Sequence, residues 1–258
     1  MNTIVLICLV IYKLYKLNYF NIYRITELIN AFFSYFCHDP SVLNVSDFPW
    51  TQDFKDNWKT IRDEYIAYSS QYQIPKYSQL NQVVSTCDSE NKWQALFLRT
   101  FNQDTELVKF FPETMKLINS CPCTLAFFSV LPPKTRLSPH VGVYKGVIRY
   151  HLGLIVPKES DKCFLNIDGH VLNWHEGKDL MFDDMFVHSA ENNSDETRVV
   201  LFLDIQRDFH NPILAQDQMI LQSVRWTLNT LNSLCLRFIK SNDAVTETVN
   251  NVNKFAAT

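Results

Sequence analysis

A mainly β protein with flanking helices, built on a double-stranded β-helix (jelly-roll, cupin-like) core, is the fold class this sequence predicts. Three observations lead there. Six short runs rich in β-branched and aromatic residues crowd into roughly 80 residues after Leu125, bounded by Pro, Gly, Asp and Asn. All five glycines lie between Gly142 and Gly177, which puts the tight turns inside that same stretch. On both sides of it the hydrophobic period lengthens to that of amphipathic helices.

The elements follow in order. MNTIVLICLVIY is an apolar run ended by Lys13, with Lys16 and Arg24 beyond it. No cation precedes the run and no small-residue cleavage site follows, so residues 1–25 are expected to form an uncleaved, single N-terminal membrane anchor. Cations on its C-terminal side are expected to place the main domain in the cytosol. Residues 26–115 read as the helical N-terminal part of the catalytic region, punctuated at Pro40, Pro49 and Pro75. Within it, residues 54–73 set Trp58, Ile61, Tyr65 and Ile66 at helical spacing. Residues 93–101 suit a strand, leading to a helix near 106–121. The core is expected over 116–210, with strands in LAFFSVL (125–131), VIRYHLGLIVP (147–157), CFLNID (163–168), HVLNW (170–174), KDLMFDD (178–184) and RVVLFLDIQ (198–206). Residues 211–258 form an amphipathic helical extension, the helix over 213–239 suited to a membrane or to the barrel, and a tail expected to fray from Lys240.

Bulk properties narrow the function. A chain of 258 residues with 47% hydrophobic and 14% aromatic residues folds into a core of its own. Its net charge of −3, with no basic stripe, excludes nucleic acid as the partner. The seven cysteines are scattered without a C-x-x-C and read as reduced thiols, the Cys121-Pro-Cys123 pair as structural.

Five residues stand out for their chemistry. His140 follows a proline and precedes Val-Gly, at a turn where an imidazole projects into a barrel mouth. His188 follows FDDMFV, at the start of a strand returning to that rim. Two imidazoles on facing strands suit ferrous iron and leave positions open for other ligands. Arg198 begins a strand too apolar to bury an unpaired guanidinium cheaply, so it calls for an anion. Arg149 and His151 sit two apart on one strand, so both face the same side while Tyr150 faces away.

This ordered set closely resembles the aspartyl/asparaginyl β-hydroxylase family of iron(II)- and 2-oxoglutarate-dependent dioxygenases. The resemblance is dense in RYHLGLIVP, FDDMFVHSAEN and RVVLFLD and extends over roughly residues 55–210. It implies Fe(2+) on His140 and His188, with 2-oxoglutarate as cosubstrate and O2 as oxidant. It further implies that Ser129 and Arg198 hold the distal carboxylate of 2-oxoglutarate and His151 its C1 carboxylate, and that Arg149 contacts a substrate carboxylate. The usual third ligand, a carboxylate two residues after the first histidine, is replaced by Gly142, as in the animal members of the family, where water fills that position. Asp183 and Asp184 are implied to support His188 by hydrogen bonds, Trp174 and Gly177 to shape a turn. His38, His170, His175 and His210 read as surface residues. The implied substrate is an Asp or Asn residue of a polypeptide. The branch that hydroxylates lipid A acyl chains is also similar, in LPPKTRL, RYHLGL, HSAEN and the hydrophobic N-terminus, which keeps a membrane-lipid acyl chain as the alternative. That branch carries H-x-D where this chain has H-x-G. A degenerate member that binds its ligand without turnover is the remaining alternative. Membrane association is expected through residues 1–25 and 213–239.

Overall fold

The computed structural model describes residues 22–80, 87–209, 218–240 and 243–256. The anchor expected over 1–25 therefore lies almost wholly outside the described residues. Among the described residues no helix is long and apolar enough to cross a membrane.

Helix α1 (Ile22–Phe36) opens the described chain. The expected helix over 54–73 is two helices, α2 (Thr51–Asp56) and α3 (Trp58–Ser69), parted at Asn57. Ile61, Tyr65 and Tyr68 make the buried face of α3, whereas Ile66 is 45% exposed, because the stripe runs 61, 65, 68 and leaves 66 on the opposite side. A short α4 (Tyr77–Leu80) precedes strand β1 (Gln94–Thr100), which hairpins into β2 (Gln103–Asp104). Helix α5 (Pro112–Asn119) starts with proline at its first turn, where the missing N–H costs nothing.

The barrel strands then follow. They are β3 (Cys123–Leu131), β4 (Thr135–His140), β5 (Val147–Ile155), β6 (Cys163–Ile167), β7 (His170–Asn173), β8 (Asp179–Phe182), β9 (His188–Asn192) and β10 (Arg198–Gln206). They form a six-stranded antiparallel sheet, β2-β1-β3-β10-β5-β8, and a four-stranded one, β4-β9-β6-β7. One hydrophobic core takes side chains from both, Phe127, Leu152 and Phe202 from the larger sheet and Leu137, Leu165 and Ala190 from the smaller. The β6–β7 hairpin turns on Asp168 and Gly169, both at positive φ (50° and 82°), the pairing a two-residue turn of matching twist requires.

Cross-strand register fixes what each face carries. Val200 opposes Ser129 and Gly153, Phe202 opposes Phe127 and His151, and Asp204 opposes Arg149. Ser129, Arg149, His151 and Arg198 therefore share one face of the larger sheet. The other face is aromatic and is covered by helices: Tyr150 meets Trp50 and Phe54 at ring-centroid distances of 5.2 and 5.7 Å, and Phe128 meets Tyr65 at 5.1 Å and Phe111 at 5.0 Å.

Two C-terminal helices complete the chain, α6 (Gln218–Lys240) and α7 (Asp243–Ala256). The tail expected to fray from Lys240 is thus helical. Val249 and Val252 are buried, and Asn253 accepts a hydrogen bond from the Glu106 N–H (2.9 Å), contacts that offset the weak helix propensity of an Asn- and Thr-rich segment. A second, smaller core joins Phe33 and Cys37 on the N-terminal side to Tyr144, Val147, Phe209, Leu228 and Leu236.

Candidate active site

His140 ends β4 and His188 begins β9, and the two are directly opposed across the strand pair. Their ring centroids lie 4.2 Å apart. Nδ1 of His140 is 2.7 Å from the carbonyl oxygen of Ser138, and Nδ1 of His188 is 2.9 Å from that of Phe186. A carbonyl only accepts, so each Nδ1 carries the proton and each Nε2 keeps its lone pair. The pair is a set of two neutral imidazole donors side by side, which fits a divalent transition metal. Among the described residues no group of three or more His, Cys, Asp or Glu side chains is placed to hold a metal ion, so the histidine pair stands without a carboxylate.

The reason lies at Gly142. Its N–H donates to the Asp184 carbonyl (2.6 Å), and a Cβ added there would fall 2.2 Å from Asp184 Oδ2. The space that a carboxylate-bearing residue 142 would need is filled by the side chain of Asp184. That carboxylate is 2.8 Å from Arg149 Nη2, while Arg149 Nε donates to Asp204 at 3.0 Å and the guanidinium lies 4.4 Å from the Phe202 ring centre. Asp183 pairs with Lys145 and with Arg207 (2.8 Å), and Arg207 pairs again with Asp39. The expectation that Asp183 and Asp184 support His188 by hydrogen bonds is corrected in form. Both carboxylates engage cations, and the Phe186 carbonyl orients the ring.

At the other end Arg198 is 2% exposed and makes no ion pair with a carboxylate among the described residues. Nη1 donates to the Ser129 carbonyl at 3.2 Å and to Ser129 Oγ at 3.4 Å, and the guanidinium stacks 4.4 Å over Trp174. Burial lowers its pKa to about 10. Ser129 Oγ is itself held by the Trp93 indole N–H (2.9 Å).

Between these ends a continuous series of rings lines the interior. Trp174 is 6.1 Å from His151, His151 is 5.0 Å from Phe182 and 4.7 Å from Phe202, and Phe182 is 5.9 Å from His188. Along this series Arg198 Nε, Trp174 Nε1 and both ring nitrogens of His151 are buried without a hydrogen-bond partner among the described residues. Each such orphan costs about 1–3 kcal/mol, so a run of them in one place marks a position for a polar ligand. Burial first, then the charges of Arg198 and Arg149, hold His151 well below the usual histidine range and therefore neutral.

The sequence-selected residues Ser129, His151 and Arg198 come together with the His140–His188 pair through this series. Arg149 faces the same side and is already neutralised. Trp174, read from sequence as a turn residue, is a wall of the site. Its indole N–H, which needs a partner when buried, was the available signal. Gly177 keeps its structural role, with φ +70° and no room for a Cβ against Trp58. His38, His170 and His175 are exposed, and His210 lies outside the described residues.

Burial, then the Arg149 charge, pushes His188 down to about 3, and burial lowers His140 as well. Unfolded imidazoles take up protons below about pH 6.5, whereas folded His188 refuses them until about pH 3. The metal-free protein should therefore lose stability as pH falls through this window. Asp184, raised to about 6 by burial, works the opposite way between about pH 6 and 4, because its folded form holds the extra proton. With a chelator present, the unfolding temperature should fall from pH 7 to pH 5, and His188→Gln should flatten the fall. Equal slopes for the two proteins would refute this account.

A family model described as Aspartyl/Asparaginyl beta-hydroxylase matches residues 55–208. The ornithine lipid ester-linked acyl 2-hydroxylase of Rhizobium tropici is 35% identical over 205 residues, covering 78% of this chain and 70% of that protein. The human aspartyl/asparaginyl beta-hydroxylase is 27% identical over 178 residues, 65% of this chain but 22% of that protein. The aspartate beta-hydroxylase domain-containing protein 2 of Xenopus tropicalis is 30% identical over 183 residues, 66% of this chain and 47% of that protein. The chain thus spans less than half the length of the latter two.

Proposed function

We propose that this chain, which belongs to the aspartyl/asparaginyl β-hydroxylase family, is an iron(II)- and 2-oxoglutarate-dependent dioxygenase that hydroxylates an acyl chain of a membrane lipid. The observation that carries the cosubstrate assignment is Arg198, a buried guanidinium with no carboxylate of its own. A dicarboxylate reaching from Arg198 and Ser129 past Trp174 and His151 to the histidine pair would satisfy the orphaned donors along its length. His140 and His188 would hold iron through Nε2. Iron held there would supply oxygen activation coupled to decarboxylation of 2-oxoglutarate, with succinate and CO2 as co-products. The chain's own residues bind and orient. Arg198 fixes the distal carboxylate, neutral His151 offers an N–H to the proximal one, and Phe182 and Phe202 keep water from the centre of the site.

Three observations favour a lipid. Val141, next to His140, Val143 and Val187, next to His188, are 51%, 63% and 59% exposed, so the segments flanking both histidines present apolar surface outward. Arg149, the residue suited to a substrate carboxylate, already has two carboxylate partners. Helix α1 carries further exposed apolar side chains in Leu28, Phe32 and Tyr35, and it adjoins residues 1–25, whose hydrophobic run would tether the catalytic domain to the cytosolic face of a membrane. The second reading, hydroxylation of an Asp or Asn residue in a polypeptide, draws on Arg149 facing the same side as His151 and requires one of its carboxylate partners to yield.

Purified full-length protein supplied with iron(II), ascorbate, 2-oxoglutarate and air should release succinate. Under the lipid reading, succinate appears in step with an acyl product heavier by one oxygen when detergent-dispersed membrane lipids are added. A product among Asp- or Asn-containing peptides alone would overturn the lipid reading, and no lipid- or peptide-dependent succinate would overturn the enzyme reading.

A further inference from the structure

The loop of residues 141–146, which leaves the first histidine, packs through Tyr144 and Lys145, both buried, while its first half is held less by side chains: Val141 and Val143 are exposed and Gly142 has none. Its backbone polar groups are taken up one after another. Besides the Gly142 bond to Asp184, Asn30 of α1 donates from Nδ2 to the Val143 carbonyl (3.0 Å) and accepts at Oδ1 from the Lys145 N–H (2.8 Å). Asn232 of α6, fully buried, donates from Nδ2 to the carbonyls of Gly146 (2.8 Å) and Arg207 (3.1 Å) and accepts at Oδ1 from the Tyr144 hydroxyl (2.8 Å). The helix approaches at backbone distance, since a Cβ on Gly146 would fall 2.2 Å from Asn232 Oδ1. The carboxamide supplies both the donor and the acceptor that each set of contacts uses. Phe33 of α1 meets Tyr144 (6.2 Å) and Phe209 (4.8 Å), so the two helices and the loop form one packed body.

Both helices lie outside the residues 55–208 that the family model matches. We propose that α1 and α6 are part of the metal site's framework, with Asn30 and Asn232 as positioning residues that set His140 against His188. The loop is the link. It starts at His140, is bonded through Gly142 to the backbone four residues before His188, and is held on its outer side by the two asparagines. If the loop shifts, the spacing of the two imidazoles shifts with it, and the affinity of a two-ligand site depends on that spacing.

This inference rests on the metal reading of His140 and His188, and the test separates the two. Cobalt(II) is titrated into full-length protein without 2-oxoglutarate and followed by its visible absorption. Asn30→Ala, at a half-exposed position, should weaken cobalt binding on the order of 10- to 100-fold, the range seen when groups orienting metal ligands are removed. Asn30→Asp, which keeps the acceptor for the Lys145 N–H, should recover part of the loss. Asn232→Ala should act in the same direction where it folds. Asn30→Ala binding cobalt within twofold of the unsubstituted protein, with a lower unfolding temperature alone, would overturn the proposal by reducing Asn30 to a stability contact. Cobalt binding that survives both His140→Ala and His188→Ala would overturn the metal reading, and the positioning role with it.

Discussion

Arg198→Ala should raise the 2-oxoglutarate concentration for half-saturation by roughly 30- to 1000-fold, while far-UV dichroism and the iron requirement stay as they are. The substitution removes a charge-assisted, two-pronged contact from a site that water does not reach, a loss of about 2–4 kcal/mol. The folded protein should tolerate it. Among the described residues Arg198 has no carboxylate partner to strand, and its bonds to Ser129 are one to a carbonyl and one, at 3.4 Å, to a hydroxyl that Trp93 already holds. Deletion relieves the cost of burying an uncompensated cation, so the unfolding temperature without ligand should hold or rise. Steady-state titration of 2-oxoglutarate, read as succinate, decides the matter. A half-saturating concentration unchanged within threefold would move the cosubstrate to another pocket.

Gly142→Asp, which writes the usual facial-triad carboxylate into the chain, should impair the protein rather than improve it. Its Cβ would overlap the Asp184 carboxylate, and Asp184 is the partner of Arg149 in the interior. Displacing Asp184 leaves a buried guanidinium with Asp204 alone and sets a new carboxylate against an old one. Breaking a buried pair in this way costs on the order of 3–5 kcal/mol, which for a chain of this size lowers the unfolding temperature by on the order of 10 °C. Calorimetry of the metal-free proteins measures it. A variant as stable as its parent, with tighter iron binding, would show that Asp184 gives way and that the vacancy at 142 is a matter of ancestry rather than of space.

Much of this was legible in the chain because strands advertise themselves by period. LAFFSVL, VIRYHLGLIVP and RVVLFLDIQ are three neighbouring strands of the larger sheet, and an i, i+2 argument places Arg149 and His151 on one face with Tyr150 on the other. The β4 strand around TRLSPH escaped that reading, since proline and serine interrupt it and its pattern is set by pairing with β9 rather than by its own composition. The ion pairs of Asp183, Asp184, Lys145 and Arg207 escaped it too. They join residues far apart in sequence, and no local pattern states which carboxylate meets which cation. Trp174 was visible as a tryptophan in a turn, but its place beneath Arg198 depends on β7 and β10 approaching from different sheets.

The charges of the interior are unevenly distributed, and this divides the site into two unlike ends. Beside the histidines, Lys145, Arg149 and Arg207 are enmeshed with Asp39, Asp183, Asp184 and Asp204, so these cations are already matched by carboxylates. The charge that reaches the rings is that of Arg149, which adds to burial in opposing protonation of both imidazoles and keeps them neutral nitrogen donors. At the far end stands Arg198, a buried cation with no carboxylate counterpart among the described residues. Its field acts through a medium that screens it poorly. One end thus offers uncharged lone pairs and the other an unmatched positive charge, so a molecule lying between them is oriented by its own charge before any close contact is made.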